Sequence, residues 1–214
     1  DVWETDIARF GIDIWLTTTA IVAGFAICQA PLGVKVHGEK DPAADLGPMY
    51  RQVVGTMFRI METTEHFWKN VQGSRDIPTI GEYPREEPAP FDINLDELVE
   101  YFQTGYFNFN GVWRQILEEK DMAAYEGLVK SSPTDFFLPI ETWVRTVYCY
   151  ASAFHATPRQ RMKVLNTMIP LYYARVASLV NELKDKDGRV AEALFQEQAG
   201  VFEDMKPYLL GIWQ

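Results

Sequence analysis

The segment Asn94-Leu-Asp-Glu-Leu-Val-Glu-Tyr-Phe-Gln-Thr-Gly-Tyr106 has the pattern of an amphipathic helix and its start. Its apolar side chains recur at three- and four-residue spacing, which places them on one face of a helix. The same spacing continues toward Leu117. Asn94 is a favourable N-cap, and the two acidic residues of the first turn suit the positive end of the helix dipole. The segment therefore predicts a long helix with one buried face.

The rest of the chain after residue 44 carries further helical patterns. Helices are predicted at about 46–70, 122–129, 138–155, 157–187 and 189–205. Thr157-Pro158 combines an N-cap residue with a proline at the first helical position, so it predicts a helix start. Pro170 predicts a kink or a local break in that helix. Residues 71–93 contain four prolines and are predicted to form a long surface excursion.

The N-terminal part contains an uncharged stretch, residues 14–34, which approaches the length of a membrane-spanning helix. Threonines, glycines and a proline interrupt it, so no transmembrane helix is predicted. The pattern is better divided into a helix at about 11–23, which stops at Gly24, and a strand at about 25–30. A second short strand is predicted at 34–36.

Composition limits the class of protein. Hydrophobic residues make up 47% and aromatic residues 14% of the 214 residues, which supports a real core and excludes disorder. The formal net charge of −10 argues against a nucleic-acid-binding protein. An anionic substrate stays open, because a bound metal supplies positive charge. Cys28 and Cys149 lie in apolar surroundings and favour two buried thiols in a reduced, cytoplasmic protein, while a disulfide stays open.

The run Phe10-Gly-Ile-Asp-Ile-Trp-Leu16, the helix and strand that follow, and then Val36-His37 resemble the final part of a glycosyltransferase domain of the GT-A fold. The similarity is to the group that includes family-2-type enzymes, mannosylglycerate synthase and glucosyl-3-phosphoglycerate synthase. In that group a Gly-aromatic-Gly-x-Glu/Asp segment opens a helix beneath the acceptor pocket. A later histidine after a strand completes a divalent-metal site with an Asp-x-Asp motif.

The resemblance implies a mainly α chain in two parts. Residues 1–44 would be the last helix and strands of a GT-A α/β domain, and residues 45–214 would be an α-helical domain that packages, orients or dimerises the enzyme. The sequence lacks a nucleotide-binding βαβ region and an Asp-x-Asp that follows a strand. By the resemblance, that catalytic region precedes Asp1 in the same or a separate chain. The chain alone is therefore expected to lack transferase activity.

The resemblance also implies an acceptor site near the start of the chain. Asp13 would orient an acceptor hydroxyl or act in proton transfer, Gly11 would allow the backbone to approach a ligand, and Trp15 would stack on a sugar ring. Three more residues are placed in the same acceptor loop: Trp3, Glu4 and Asp6. From the residues alone, ordinary alternatives stay open: a first-turn acid favoured by the helix dipole, a turn glycine, a core tryptophan and solvated acids.

The donor side of the implied site depends on His37, which follows the second predicted strand. By the resemblance it would be a ligand of Mg²⁺ or Mn²⁺, and the metal would bridge the diphosphate oxygens of a nucleotide-sugar. Lys40, in the loop that follows, would contact a phosphate when the loop closes. Without the resemblance, a lone histidine is weak support for a metal site.

Together these residues predict a metal-dependent transfer of a hexose from a nucleotide-sugar to a small hydroxylated acceptor. One alternative is a non-catalytic helical interaction module whose N-terminal strand augments the sheet of another chain. Another is a helical-bundle metalloprotein that uses Glu62, Glu65 and His66, although the Glu-x-x-His pattern of di-iron bundles is absent. The apolar C-terminus is compatible with a homodimer.

Overall fold

The structure, a computed structural model, describes residues 4–32, 42–82 and 93–213 and confirms that the chain is mainly helical. The described helices are α1 (Ile12–Val22), α2 (Pro42–Thr63), α3 (Glu65–Trp68), α4 (Leu95–Ile116), α5 (Glu119–Leu128), α6 (Ile140–Ala156), α7 (Arg161–Leu183), α8 (Gly188–Asp204) and α9 (Lys206–Ile212), with short 3-10 helices at Asp6–Ala8 and Pro133–Asp135. The chain divides into two compact units, Asp1–Asp92 and Ile93–Gln214.

In the first unit, the 3-10 turn Asp6–Ala8 and α1 pack against α2. The side chain of Thr5 caps the 3-10 turn by accepting a hydrogen bond from the backbone N–H of Ile7. The helix α1 ends at Val22, and Gly24 follows with a φ of 76°, in the left-handed region that glycine adopts without strain. The predicted stop at Gly24 is therefore confirmed. Within the described ranges, every helix is too short or too polar to cross a membrane.

The division between the units falls later in the chain than the predicted boundary after residue 44. The structure places α1 and α2 in one unit, because the buried face of α2 packs on α1 and on the 3-10 turn. The buried residues of α2 include the apolar Tyr50 and Phe58 and the polar Gln52 and Thr56. The predicted helix over 46–70 is present as α2 and the short α3.

The segment predicted as a strand, residues 25–30, makes one β-bridge among the described residues. The backbone N–H of Gln29 donates to the carbonyl of Pro78 (3.0 Å), and the N–H of Ile80 donates to the carbonyl of Gln29 (2.9 Å). The pairing is parallel and includes no second residue of the segment. The other predicted strand, 34–36, lies outside the described residues.

The centre of the second unit is the packing of α4 on α7, the most extensive contact between any two helices described. The predicted cap of α4 is confirmed, since the side chain of Asn94 accepts from the N–H of Glu97 (3.2 Å). The helix buries Leu98, Val99, Phe102, Gly105 and Trp113. The indole Nε1 of Trp113 donates to the carbonyl of Thr167 in α7 (2.8 Å). A polar atom inside this core is thereby satisfied by the backbone of the neighbouring helix.

At one point α4 and α7 approach so closely that only glycine fits. A Cβ atom on Gly105 would overlap the Cβ and Cγ atoms of Pro170 and would lie 3.6 Å from its Cα. Pro170 is itself buried inside α7. The helix α7 runs from Arg161 to Leu183 and continues through this proline. The sequence predicted a kink or a local break at Pro170, and the break does not occur.

Both predicted ends of α7 are wrong. The helix begins at Arg161, because Thr157 belongs to the end of α6, where its hydroxyl donates to the carbonyl of Ala153 (2.7 Å). At the other end α7 stops at Leu183. Asp187, predicted as its last residue, instead caps α8 by accepting two backbone hydrogen bonds from the first turn of that helix.

The contact at Gly105 predicts a selective loss of stability. Gly105→Ala should lower the free energy of unfolding of the second unit by about 1–3 kcal/mol, the usual cost of overpacking a core. Gly111→Ala on the same helix is the matched control, because a Cβ there meets nothing within 4 Å. The control should raise stability by up to about 1 kcal/mol, since alanine is the better helix former. Urea unfolding followed by circular dichroism measures both; equal effects would contradict the close approach.

Candidate functional site

The N-terminal end of α1 is held against α2 by two contacts. The backbone N–H of Phe10 donates to the side-chain Oε1 of Gln52 (3.4 Å). Gly11 is buried, and a Cβ on it would overlap Oγ1 of Thr56 and would lie 2.9 Å from the carbonyl oxygen of Asp6. Gln52 and Thr56 are only 7% and 3% exposed. The close backbone approach that Gly11 permits in the structure is therefore an approach to α2.

Asp13 lies two residues after Gly11 and is exposed in the first turn of α1. Its carboxylate is accessible to a ligand and also occupies a position where the helix dipole favours an acid. Trp15 is partly buried, and Glu4 is exposed just before the 3-10 turn. Within this short stretch of the chain, Gly11 is fixed and Asp13 faces solvent. Their roles toward a ligand stay predictions.

The predicted donor-side residues, His37 and Lys40, lie outside the described residues, and so does Trp3. Within residues 4–32, 42–82 and 93–213, no three or more histidine, cysteine, aspartate or glutamate side chains are grouped to hold a metal ion. The described residues therefore offer no complete ligand set, and a metal bound through His37 would need ligands from outside them.

The residues of the alternative bundle site lie at the end of α2 and in α3. Glu62, Glu65 and His66 line an open pocket of about 530 Å³ together with Lys69. The carboxylate of Glu65 forms an ion pair with Lys69 (2.7 Å), four residues later. The ammonium group of Lys69 thus supplies a positive charge beside this carboxylate. Because the side chains do not group as metal ligands, the structure gives this site no support.

The second unit contains a buried ion pair that sequence reasoning missed. Asp121 in α5 is fully buried, and Arg145 in α6 donates to it from Nε (2.8 Å) and from Nη2 (2.6 Å). Nη2 of Arg145 also reaches Oγ1 of Thr142 (3.4 Å). The pair joins two helices of the core and has its hydrogen bonds satisfied, as a stable buried pair requires. The 24-residue separation leaves no local pattern that could have predicted it.

Cys149 belongs to a hydrogen-bonded cluster between α6, α9 and the start of α5. Its Sγ lies 3.1 Å from the hydroxyl of Tyr208. Hydrogen bonds from Lys120 and from Tyr208 hold the pKa of the Glu118 carboxyl below its usual value. Burial raises the pKa of the Cys149 thiol, which keeps it protonated and a poor nucleophile.

Both cysteines are free thiols, so the structure shows no disulfide between the two. Cys149 is buried, as predicted. The prediction of a buried Cys28 is wrong, because this side chain lies exposed in the extended segment after α1. Apolar neighbours in the sequence did not indicate burial here, since among the described residues that segment makes a single β-bridge.

Comparison with known proteins adds no relative: no protein-family model matches the chain, and neither the curated proteins nor the solved structures show a match. The case for a function therefore depends on local geometry and on the sequence motifs. Two places offer polar groups in defined geometry, namely the start of α1 and the buried clusters of the second unit. At the start of α1 the carboxylate of Asp13 is exposed to solvent, whereas the polar groups of the clusters in the second unit are buried.

The buried ion pair predicts a large effect on stability. Asp121→Asn should lower the free energy of unfolding by roughly 3–5 kcal/mol, because Arg145 would keep its charge without a buried counter-charge. Glu126→Gln is the matched control: Glu126 pairs with Arg114 at the surface, where both side chains are more than a third exposed. The control should cost at most about 1 kcal/mol. Denaturant unfolding compares the two, and similar losses would contradict the burial of the first pair.

Several tyrosines of the second unit are held in the neutral form. Burial, with a smaller contribution from Glu203, raises the pKa of Tyr148 to about 12 from an ordinary value of 10.0. Its hydroxyl donates to the carbonyl of Phe202 in α8 (2.6 Å). Burial also raises the pKa values of Tyr125, Tyr150 and Tyr208. Above pH 10 the folded chain therefore binds more protons than the unfolded chain, so stability falls as the pH rises.

The raised pKa of Tyr148 predicts a specific change in alkaline unfolding. Stability should hold to about pH 9 and then fall between pH 10 and pH 12. Tyr148→Phe should lower stability at neutral pH by about 1 kcal/mol through the lost hydrogen bond. Above pH 10 the free energy of unfolding of the variant should also fall less steeply with pH than that of the wild type, by up to roughly 1.4 kcal/mol per pH unit. Urea midpoints across this range measure both, and an unchanged slope in the variant would contradict the shift.

Proposed function

We propose that this chain is the acceptor-side and C-terminal part of a metal-dependent glycosyltransferase that moves a hexose from a nucleotide-sugar to a small hydroxylated acceptor. The proposal starts from the resemblance of residues 10–16 to the GT-A group. One structural observation supports it: Gly11 is fixed against α2 with no room for a side chain, while Asp13, two residues later, is exposed. A ligand-binding acid requires this combination of fixed backbone and accessible carboxylate.

On the acceptor side, Asp13 would accept a hydrogen bond from the acceptor hydroxyl. This bond would orient the oxygen toward the donor sugar and draw its proton away as the new glycosidic bond forms. Glu4, exposed before the 3-10 turn, would offer a second carboxylate for a further hydroxyl. Trp15, two residues after Asp13 in α1, would present its ring to a sugar.

On the donor side, the imidazole of His37 would be one ligand of Mg²⁺ or Mn²⁺. A divalent ion bound there would supply Lewis-acid stabilisation of the diphosphate leaving group. Lys40 would add positive charge next to the phosphates. With a formal net charge of −10, the protein needs such cationic groups to hold an anionic donor. The other metal ligands would come from the nucleotide-binding region that the resemblance implies.

The second unit would serve this enzyme as a scaffold. It has its own core, built on α4 and α7 and closed by α5, α6 and α9. A unit of this kind folds around its own contacts. It would package or orient the catalytic part or form a homodimer.

A non-catalytic interaction module is the second candidate, and one observation favours it. The extended segment after α1 exposes large apolar side chains: Phe25 is 70% exposed and Leu32 94%. Ile80, beside the bridge, is 63% exposed. An extended segment that exposes large apolar side chains is suited to strand addition to the sheet of another chain. The two candidates differ in a measurable way, because only the transferase requires a nucleotide-sugar.

Donor binding tests the proposal. Isothermal titration calorimetry of the full-length protein with UDP- and GDP-sugars, with and without Mn²⁺, should show metal-dependent binding that is strongly weakened in His37→Ala. Asp13→Asn should bind the donor normally and lose about 10²–10⁴ in turnover, the range expected for an acid–base group. Absence of donor binding by a folded full-length protein would reject the transferase and leave the interaction module as the better candidate.

A further inference from the structure

We infer that Gln52 and Thr56 of α2 are positioning residues for the acceptor site, because they fix the N-terminal end of α1 and through it the carboxylate of Asp13. The inference rests on the proposed transferase and adds to it two residues of another helix. Neither residue belongs to the motif that carries the resemblance. Both are assigned by their contacts alone.

Two buried polar side chains of α2, Gln52 and Thr56, lie close together. Gln52 and Thr56 are four residues apart in α2 and therefore lie on the same side of the helix. Only 7% of Gln52 and 3% of Thr56 is exposed. Burying polar side chains costs free energy unless they gain partners. Their position is thus informative, since an apolar residue would normally occupy each place.

The two side chains contact the chain just before α1. The amide oxygen of Gln52 accepts from the backbone N–H of Phe10 (3.4 Å). Thr56 fills the space where Gly11 would carry a side chain, with its Cβ only 3.1 Å from the position of a Cβ on Gly11. The N–H of Gly11 donates to the carbonyl of Asp6 (3.0 Å), which closes the turn on its other side. The helix α2 therefore contacts the backbone at two consecutive residues, Phe10 and Gly11.

The start of α1 has no cap of its own among the described side chains. Gly11 is its N-cap residue and provides no side-chain cap, and no residue of α1 is buried. The position of the first turn therefore depends on the contacts before it. Asp13 is the second residue of the helix, so a shift at Gly11 moves its carboxylate. A misplacement of about 1 Å costs on the order of 10²-fold in rate.

A compensation experiment tests this role. In the full-length protein, Gly11→Ala should lower kcat by about 10²-fold, because its new Cβ meets Oγ1 of Thr56 and displaces the start of α1. Thr56→Ala alone should lower kcat less than Gly11→Ala does. In the double variant it should raise kcat roughly tenfold above that of Gly11→Ala, because the oxygen that the new Cβ meets is gone. Thr56→Ser, which keeps the oxygen, should restore nothing. Thr19→Ala on the exposed side of α1 is the matched control and should leave kcat unchanged.

The readouts separate positioning from folding. Donor affinity by calorimetry should stay within about twofold of wild type in every variant, whereas kcat and the acceptor KM change. Loss of donor binding together with kcat would indicate general unfolding and overturn the positioning role. If the losses in kcat multiply in the double variant, or if Gly11→Ala keeps full activity, the positioning role is overturned. Neither result would contradict the proposed transferase activity. A wild-type protein without metal-dependent donor binding or turnover would overturn both proposals.

Gln52 gives a second, independent variant. Gln52→Leu keeps the size and removes the acceptor for the N–H of Phe10, so it should lower kcat with an unchanged donor affinity. Urea unfolding of the variant establishes that it is folded under assay conditions. Wild-type kcat in a folded Gln52→Leu protein would overturn the role of this residue.

Discussion

The close approach of α4 and α7 at Gly105 and Pro170 is the constraint on which the second unit depends. Because no side chain separates the two backbones there, the aromatic rings on either side of Gly105 reach the partner helix. Trp113 bonds to the carbonyl of Thr167, and its ring lies 6.3 Å from that of Phe102. The ring of Tyr125 from α5 packs against both, with centroids 6.1 Å away. The helix α6 packs on α7 in turn, and α8 and α9 pack on α6, so a shift at this contact would disturb a densely packed core.

The existence of the long helices could be predicted from the sequence, but their ends could not. Periodicity identified α4 because its apolar face is continuous, and Asn94 caps it through a bond three residues away. Thr157-Pro158 has an equally good local pattern, yet the hydroxyl of Thr157 finds its partner in α6. Pro170 lacks an N–H but remains inside α7, because packing against α4 compensates for the lost bond. Tertiary contacts outweighed the local signal in both cases.

The candidate site shows the same limit. The sequence indicated Gly11 and Asp13, because a glycine followed by an acid at a helix start is a local pattern. The partners of that stretch are Gln52 and Thr56, and the bond from Phe10 spans 42 residues. In the sequence both partners look like ordinary residues of an amphipathic helix. Only the three-dimensional contact distinguishes them, as it does for the buried pair of Asp121 and Arg145.

The two units use their polar groups in opposite ways, and this difference favours the first as the place of any chemistry. In the second unit, burial raises the pKa values of Tyr125 and Cys149, so these groups keep their protons. Groups that hold their protons over a wide pH range stabilise a core and are poorly matched to acid–base catalysis near neutral pH. In the first unit, two buried polar side chains of α2 contact a short backbone segment beside an exposed carboxylate. Gln52 supplies the acceptor that the N–H of Phe10 meets there, and Thr56 fills the space beside Gly11, so both polar side chains act on that segment.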